Sequence, residues 1–312
     1  MLKRRGEGRL WTRKLVIGVN NERSPRPRRG LTALEHAMTA KAVLVCAVAA
    51  AALGCTRSSA QRPPGPIVSG LFTVDASFGG DPETIARAFT SLQDITARVE
   101  QRRRHTRADV ADDINAVVFG ELGFQREIES TASRFFQLSS VLGDRRGSCL
   151  GLGALYLAIG ERIGIPLDGI LLPGHFFVRT RRNVELLRRG EAMPDEWYRK
   201  KYGPWPETRS AYFRPVTVAE LGAIHWYNRG NELRAAGDLG AAEQAFARSA
   251  QEFPGFAEAH ASLGAAEQQR GAFAEAEASY RAAARAWPDL PGLAHNLEIL
   301  RAQREQDSAA QR

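Results

Sequence analysis

The chain has 312 residues, with 43 Lys+Arg against 35 Asp+Glu and a hydrophobic fraction of 44%, enough length and apolar content for two ordinary domains and too much for a mainly disordered polypeptide. Ten basic and three acidic side chains fall in residues 1–37, so that segment carries +7 of the formal +8 and the other 275 residues are almost neutral. No aromatic interleaving or groove-reading motif accompanies the basic segment, which excludes a uniformly basic nucleic-acid binder, and three cysteines (Cys46, Cys55, Cys149) without metal-ligand spacing exclude a disulfide framework or zinc module.

Met38 opens a second possible start. Met-Thr-Ala-Lys precedes an apolar run from Ala42 to Leu53, too short for a mature membrane span, and then Gly54-Cys55 and a polar stretch. This pattern predicts a secretory signal. Its end, Ala52-Leu53-Gly54-Cys55, resembles the lipobox of bacterial lipoproteins, which implies Cys55 as the lipid attachment site and Cys46 lost with the signal; a plain signal peptide is the alternative. The expected location is the bacterial cell envelope, lipid-anchored and facing the periplasm. Residues 1–37 are then either an unusually long n-region or the product of an unused upstream start, of which the second is favoured. Residues 56–80, with Arg62-Pro63-Pro64-Gly65-Pro66, read as a tether without sustained helical periodicity.

From residue 81 a folded domain is expected, extending to about 215. Asp81 caps a helix with Pro82 in its first turn, and Ile85, Phe89, Leu92, Ile95 and Val99 recur at helical spacing as far as Arg102-Arg103-Arg104. A second helix carries Ile114, Val117, Val118 and Leu122. Both read as structural support for the segment from Arg145 to Arg179.

Gly147 and Ser148 are turn and cap residues, and Leu152, Leu155, Tyr156, Ile159 and Ile163 mark a helix ended by Gly164-Ile165-Pro166. Cys149 therefore falls in its first turn, where free N–H groups and the dipole favour an anion. His175 opens the strand-like run Phe176-Phe177-Val178, and Asn183-Val184-Glu185 is expected to return beside it after the polar turn Arg181-Arg182. A thiol nucleophile, an imidazole to share its proton and an amide or carboxylate to hold the ring form a recognised catalytic set. Each of these residues alone is more often a packed cysteine or a structural histidine. Gln137 could aid an oxyanion, although a helix-surface glutamine is the simpler reading.

The run Gly147-x-Cys149 with Gly153, Ala154 and Gly164-Ile165-Pro166 resembles the core of the transglutaminase-like superfamily. Leu172 to Arg179 and Ile114 to Phe124 resemble more narrowly its bacterial SirB-type branch. The resemblance implies an α+β, papain-like domain with Cys149 as nucleophile and His175 as base. The third member is usually Asp in that superfamily; here Asn183 best fills the place, with Glu185 as the fallback. No metal, nucleotide or other cofactor is needed by such a mechanism.

Beyond residue 215 the chain repeats at an offset of 34. Trp226 aligns with His260, Gly230 with Gly264, Gly237 with Gly271, Phe246 with Tyr280 and Pro254 with Pro288. Small residues at helix crossings and an aromatic in the second helix resemble the tetratricopeptide repeat, so residues 216–306 are expected to form an all-α domain of two repeats and a capping helix, before a tail at 307–312. The repeat groove is expected to bind a protein or peptide, or else to pack on the first domain. Asp195 to Pro206 joins the two domains, its aromatics burying the junction. Two functions follow: a membrane-anchored cysteine enzyme that hydrolyses or transfers amide acyl groups, or a non-catalytic envelope adaptor that recruits partners through its repeats.

Overall fold

A computed structural model describes residues 63–207 and 210–310. The signal segment, Cys46 and the lipid-site expectation at Cys55 lie outside the described residues. Among the described residues no helix is long and apolar enough to cross a membrane.

The first element corrects an expectation. Residues Pro66–Ser77 form a helix, α1, inside the stretch read as a tether, with Val68, Leu71, Phe72 and Asp75 buried at helical spacing. Pro and Gly just ahead of it hid that periodicity. Gly65 offers no side-chain cap; the Glu161 carboxylate accepts from Ile67 and Val68 N–H instead, at 2.7 and 2.9 Å. The cap comes from 93 residues away, so only the folded chain supplies it.

Helix α2 (Pro82–Arg103) starts where Asp81 accepts from Thr84 N–H, and Ile85, Phe89, Leu92, Ile95 and Val99 face inward. Helix α3 (Val110–Asn115) runs directly into a π-helical turn, Ala116–Glu121. Asn115, at the junction of the two, donates its amide to Gly190 O while its carbonyl accepts from the Tyr156 hydroxyl.

A 3-10 turn (Ser133–Phe135), α4 (Leu138–Asp144) and a two-residue parallel pairing of β1 (Gln125–Arg126) with β2 (Arg146–Gly147) surround the start of α5 (Cys149–Ile163). An antiparallel sheet follows in the order β3 (Asp168–Leu172), β4 (His175–Arg179), β5 (Asn183–Glu185) and β6 (Glu191–Ala192). Pro173 and Gly174 make the first hairpin turn, Gly174 at a φ of +66° that a side chain would resist. Alternation along β4 sends Phe176 toward α5, where a Cβ on Gly153 would come within 2.5 Å of its ring. His175, Phe177 and Arg179 face the other way, under α6 (Asp195–Tyr202). The aromatics of α6 thus cover the sheet instead of filling the interdomain junction.

Residues 210–217 run along β3, with Phe213 and Val216 N–H donating to Leu171 and Gly169, and so close the sheet's edge. Two helical hairpins come next: α7 (Val218–Ala235) with α8 (Leu239–Glu252), and α9 (Ala257–Gln269) with α10 (Phe273–Ala286). Helix α11 (Leu293–Ala310) extends past the expected end of the cap. A Cβ on Gly230 would lie 2.6 Å from the Phe246 ring and one on Gly264 2.9 Å from the Tyr280 ring, the same contact twice at the sequence offset. The first hairpin is fastened to the α+β part: Glu232 accepts from Ser133 N and Oγ at 2.9 and 3.0 Å, and His225 Nε2 meets Phe136 O at 3.1 Å.

Candidate active site

Cys149 is the first residue of α5. Ser148 caps the helix by accepting from Gly151 N–H, and Ser148 N–H in turn donates to Phe135 O at 2.7 Å. That same carbonyl lies where a Cβ on Gly151 would be, 2.2 Å away. A glycine here therefore lets the 133–136 turn press against the first helical turn and fix the cysteine's backbone. Cys149 is partly exposed.

His175 brings the chemistry together. Its Nε2–H donates to Glu185 Oε2 at 2.8 Å, and a side-chain hydrogen bond links its ring to Cys149. With Nε2 taken by the carboxylate, Nδ1 is the ring nitrogen left for the sulfur. Glu185 Oε1 accepts from Leu187 N–H at 3.1 Å, so both carboxylate oxygens are used. Both residues are almost wholly buried. Burial by itself would pull the His175 pKa down; the neighbouring Glu185 charge and the hydrogen bonds to Cys149 and Glu185 outweigh it and raise the value to about 9. The ring therefore holds its second proton at neutral pH.

Asn183 does not take the third place. Its carbonyl accepts from Arg179 Nε at 2.7 Å and its amide donates to Asp195 Oδ1 at 2.7 Å and Met193 O at 3.0 Å. Register explains the difference. Arg179 pairs with Asn183 and Val178 with Val184, so Glu185 falls opposite Phe177, diagonal to His175 on the same face, while Asn183 is one further pair away. A glutamate bridges a diagonal of about 7–8 Å; an asparagine two pairs off cannot. The fallback residue of the sequence reading is thus the one in contact. Period-2 alternation puts Asn183 and Glu185 on one face, and only the register set by the turn at 180–182 separates them.

Two further neighbours had no signal in the sequence. Tyr202 lies flat on His175, ring centroids 4.3 Å apart and 2° from parallel, and Tyr198 stacks on Phe177 at 4.1 Å and 18°. Burial and the Glu185 charge hold both phenols far above their ordinary pKa, so they stay protonated. Gln137 is buried at the N-terminal boundary of α4, not on a helix surface, and caps nothing with its side chain.

A cysteine at a helix N-terminus, an imidazole on an antiparallel strand and a carboxylate on the next strand define a cysteine–histidine–acid arrangement of the papain-like kind. In comparison with known proteins, residues 86–221 match the family model of the transglutaminase-like superfamily, so the chain carries a transglutaminase-like domain followed by a mostly helical region. Two UPF0162 proteins of Xylella fastidiosa, from strains Temecula1 and 9a5c, are each 36% identical over 67 residues, covering 21% of this chain and 24% of theirs. The chain thus spans about a quarter of the length of these curated relatives. No solved structure matches. Among the described residues no group of three or more His, Cys, Asp or Glu side chains is arranged to hold a metal ion.

Proposed function

We propose that this protein is a cysteine enzyme acting on protein or peptide amide bonds, and that Cys149, His175 and Glu185 do the chemistry. The observation that carries the reading is the His175 ring, buried and hydrogen-bonded to a thiol on one side and a carboxylate on the other. In this mechanism the second proton on His175 is the one that the Cys149 thiol gives up, and Sγ attacks the amide carbonyl carbon with the electron pair so freed, forming the S–C bond. The carbonyl oxygen takes up negative charge beside the N–H groups at the start of α5, which helix hydrogen bonds leave free. His175 gives its proton to the departing nitrogen, the C–N bond breaks, and a thioester remains on Cys149. Water or an amine then attacks that thioester, passing a proton to His175 while the S–C bond breaks, which yields hydrolysis or acyl transfer. Glu185 holds the ring and balances the imidazolium charge.

The finer family reading rests on sequence. Residues 114–124 and 172–179 support the SirB-type branch, and the two hairpins with matching Gly230/Phe246 and Gly264/Tyr280 contacts support tetratricopeptide repeats that present a groove to a protein or peptide. Cys55 and the apolar run before it support a lipid-anchored envelope protein facing the periplasm. The adaptor alternative has no observation of its own in the site.

An activated ester such as p-nitrophenyl acetate tests the chemistry. The parent protein should release a burst of nitrophenolate stoichiometric with enzyme and carry an acetyl group on Cys149 by peptide mass spectrometry, and Cys149→Ala should show neither. An equal burst from Cys149→Ala would refute the reading.

A further inference from the structure

Tyr202 is the residue whose placement goes beyond that chemistry, and the role inferred for it rests on Cys149 and His175 acting as a pair. His175 is the first residue of β4, directly after the hairpin turn, so its own strand supplies no neighbour on that side. Two hydrogen bonds fix the directions of the ring nitrogens in the ring plane, but neither resists tilting of that plane. Helix α6 supplies what the sheet lacks. His175 and Phe177 are two residues apart on a strand, about 6.8 Å, and Tyr202 and Tyr198 are four apart on a helix, about 6 Å. The near match sets two rings of the helix over two rings of the strand, Tyr202 on His175 and Tyr198 on Phe177. The start of α6 is tied to the sheet by Asp195, which accepts from Asn183 Nδ2 and Arg179 Nη2. This gives the buried Asn183 a role: it anchors the helix that covers the histidine. Tyr202 also lies within the electrostatic reach of both Glu185 and Cys149. Its hydroxyl makes no hydrogen bond among the described residues, so the ring face is what it contributes.

We propose that Tyr202 is a positioning residue: its ring holds the imidazole plane of His175 between Glu185 and Cys149 and keeps water from their hydrogen bonds. Removing the ring should weaken the pairing of thiol and imidazole without touching either.

The rate of Cys149 alkylation by iodoacetamide, followed residue by residue by mass spectrometry in the full chain from about pH 5 to pH 10, reads this without a substrate. The parent should keep reacting near pH 6. In Tyr202→Leu and Tyr202→Met the rate near pH 6 should fall about tenfold relative to that variant's own rate near pH 9, a shift of about one pH unit in the profile, while Tyr202→Phe should restore the parent profile. Two replacements of similar bulk keep the test decisive where one of them loosens α6, which circular dichroism melting will show. Parent-like profiles in both would overturn the proposal, as would a Phe variant that behaves like Leu. A parent with no reactivity near pH 6 would overturn the paired cysteine and histidine themselves, and this inference with them.

Discussion

Glycine does different work in the two halves of the molecule. In the helical hairpins Gly230 and Gly264 each admit an aromatic ring of the partner helix, a contact made twice with 34 residues between. In the α+β domain Gly151 admits the backbone carbonyl of Phe135, a contact made once, and on it depends the position of Cys149. The repeats obtain geometry from repetition of one packing rule; the site obtains it from single backbone encounters between distant segments. One kind is periodic in the sequence and the other is not.

The largest effect expected from this contrast falls on the pair that register selects. Glu185→Gln should cut the ester burst rate on the order of 100-fold or more, because the neutral amide no longer balances the imidazolium. Asn183→Ala, which releases only the anchor of α6, should cost much less. Comparable losses in the two would mean that the carboxylate has been misassigned. Stability gives a second readout. The folded pKa of His175, about 9, lies above the ordinary 6.5. Its pairing therefore contributes fully below about pH 6.5, and the contribution is lost as pH rises through about 9. Glu185→Gln should flatten the fall in melting temperature over that window.

The same contrast explains what the sequence disclosed. Helix starts were legible where the cap is local, as at Asp81 and Ser148, and the hairpins were legible because each packing residue recurs. Helix α1 was not, since its cap is the remote Glu161 and a Pro- and Gly-rich approach masked its apolar spacing. Cys149 and His175 stand out by residue type and spacing. The choice between Asn183 and Glu185 needed strand register, which depends on where a three-residue turn begins and ends. The cover of Tyr198 and Tyr202 needed the tertiary position of α6, which no local pattern encodes.

A next pair of substitutions sets the two glycine contacts against each other. Gly151→Ala would push a methyl into a backbone carbonyl 2.2 Å away, and since neither helix nor turn can yield cheaply, the cost should be about 3 kcal/mol or more, with loss of the ester burst. Gly230→Ala meets the edge of the Phe246 side chain at 2.6 Å, which can rotate aside, so about 1–3 kcal/mol is expected with the burst kept in whatever fraction is folded. Chemical denaturation measures both. A Gly230→Ala protein that is fully folded but has lost its burst would show instead that the repeats set the geometry of the site.

The effect that bears least on the site concerns the seam between the halves. Glu258, on α9, is buried and accepts from the Tyr212 hydroxyl, which belongs to the segment running along β3. Burial raises its pKa to about 7, although the Tyr212 hydrogen bond pulls the other way. The folded state therefore binds this proton more tightly than the unfolded chain does. Its stabilising contribution is complete below the ordinary value of 4.5 and fades as pH climbs through about 7. Glu258→Gln keeps an acceptor for Tyr212 and removes the charge, so it should leave the melting temperature unchanged near pH 4 and raise stability by about 3 kcal/mol near pH 8. Equal melting temperatures for parent and variant at both pH values would show that the surroundings of the buried carboxylate stabilise its charge as well as water does. The seam would then be as insensitive to pH as the alanine-lined crossings of the repeats.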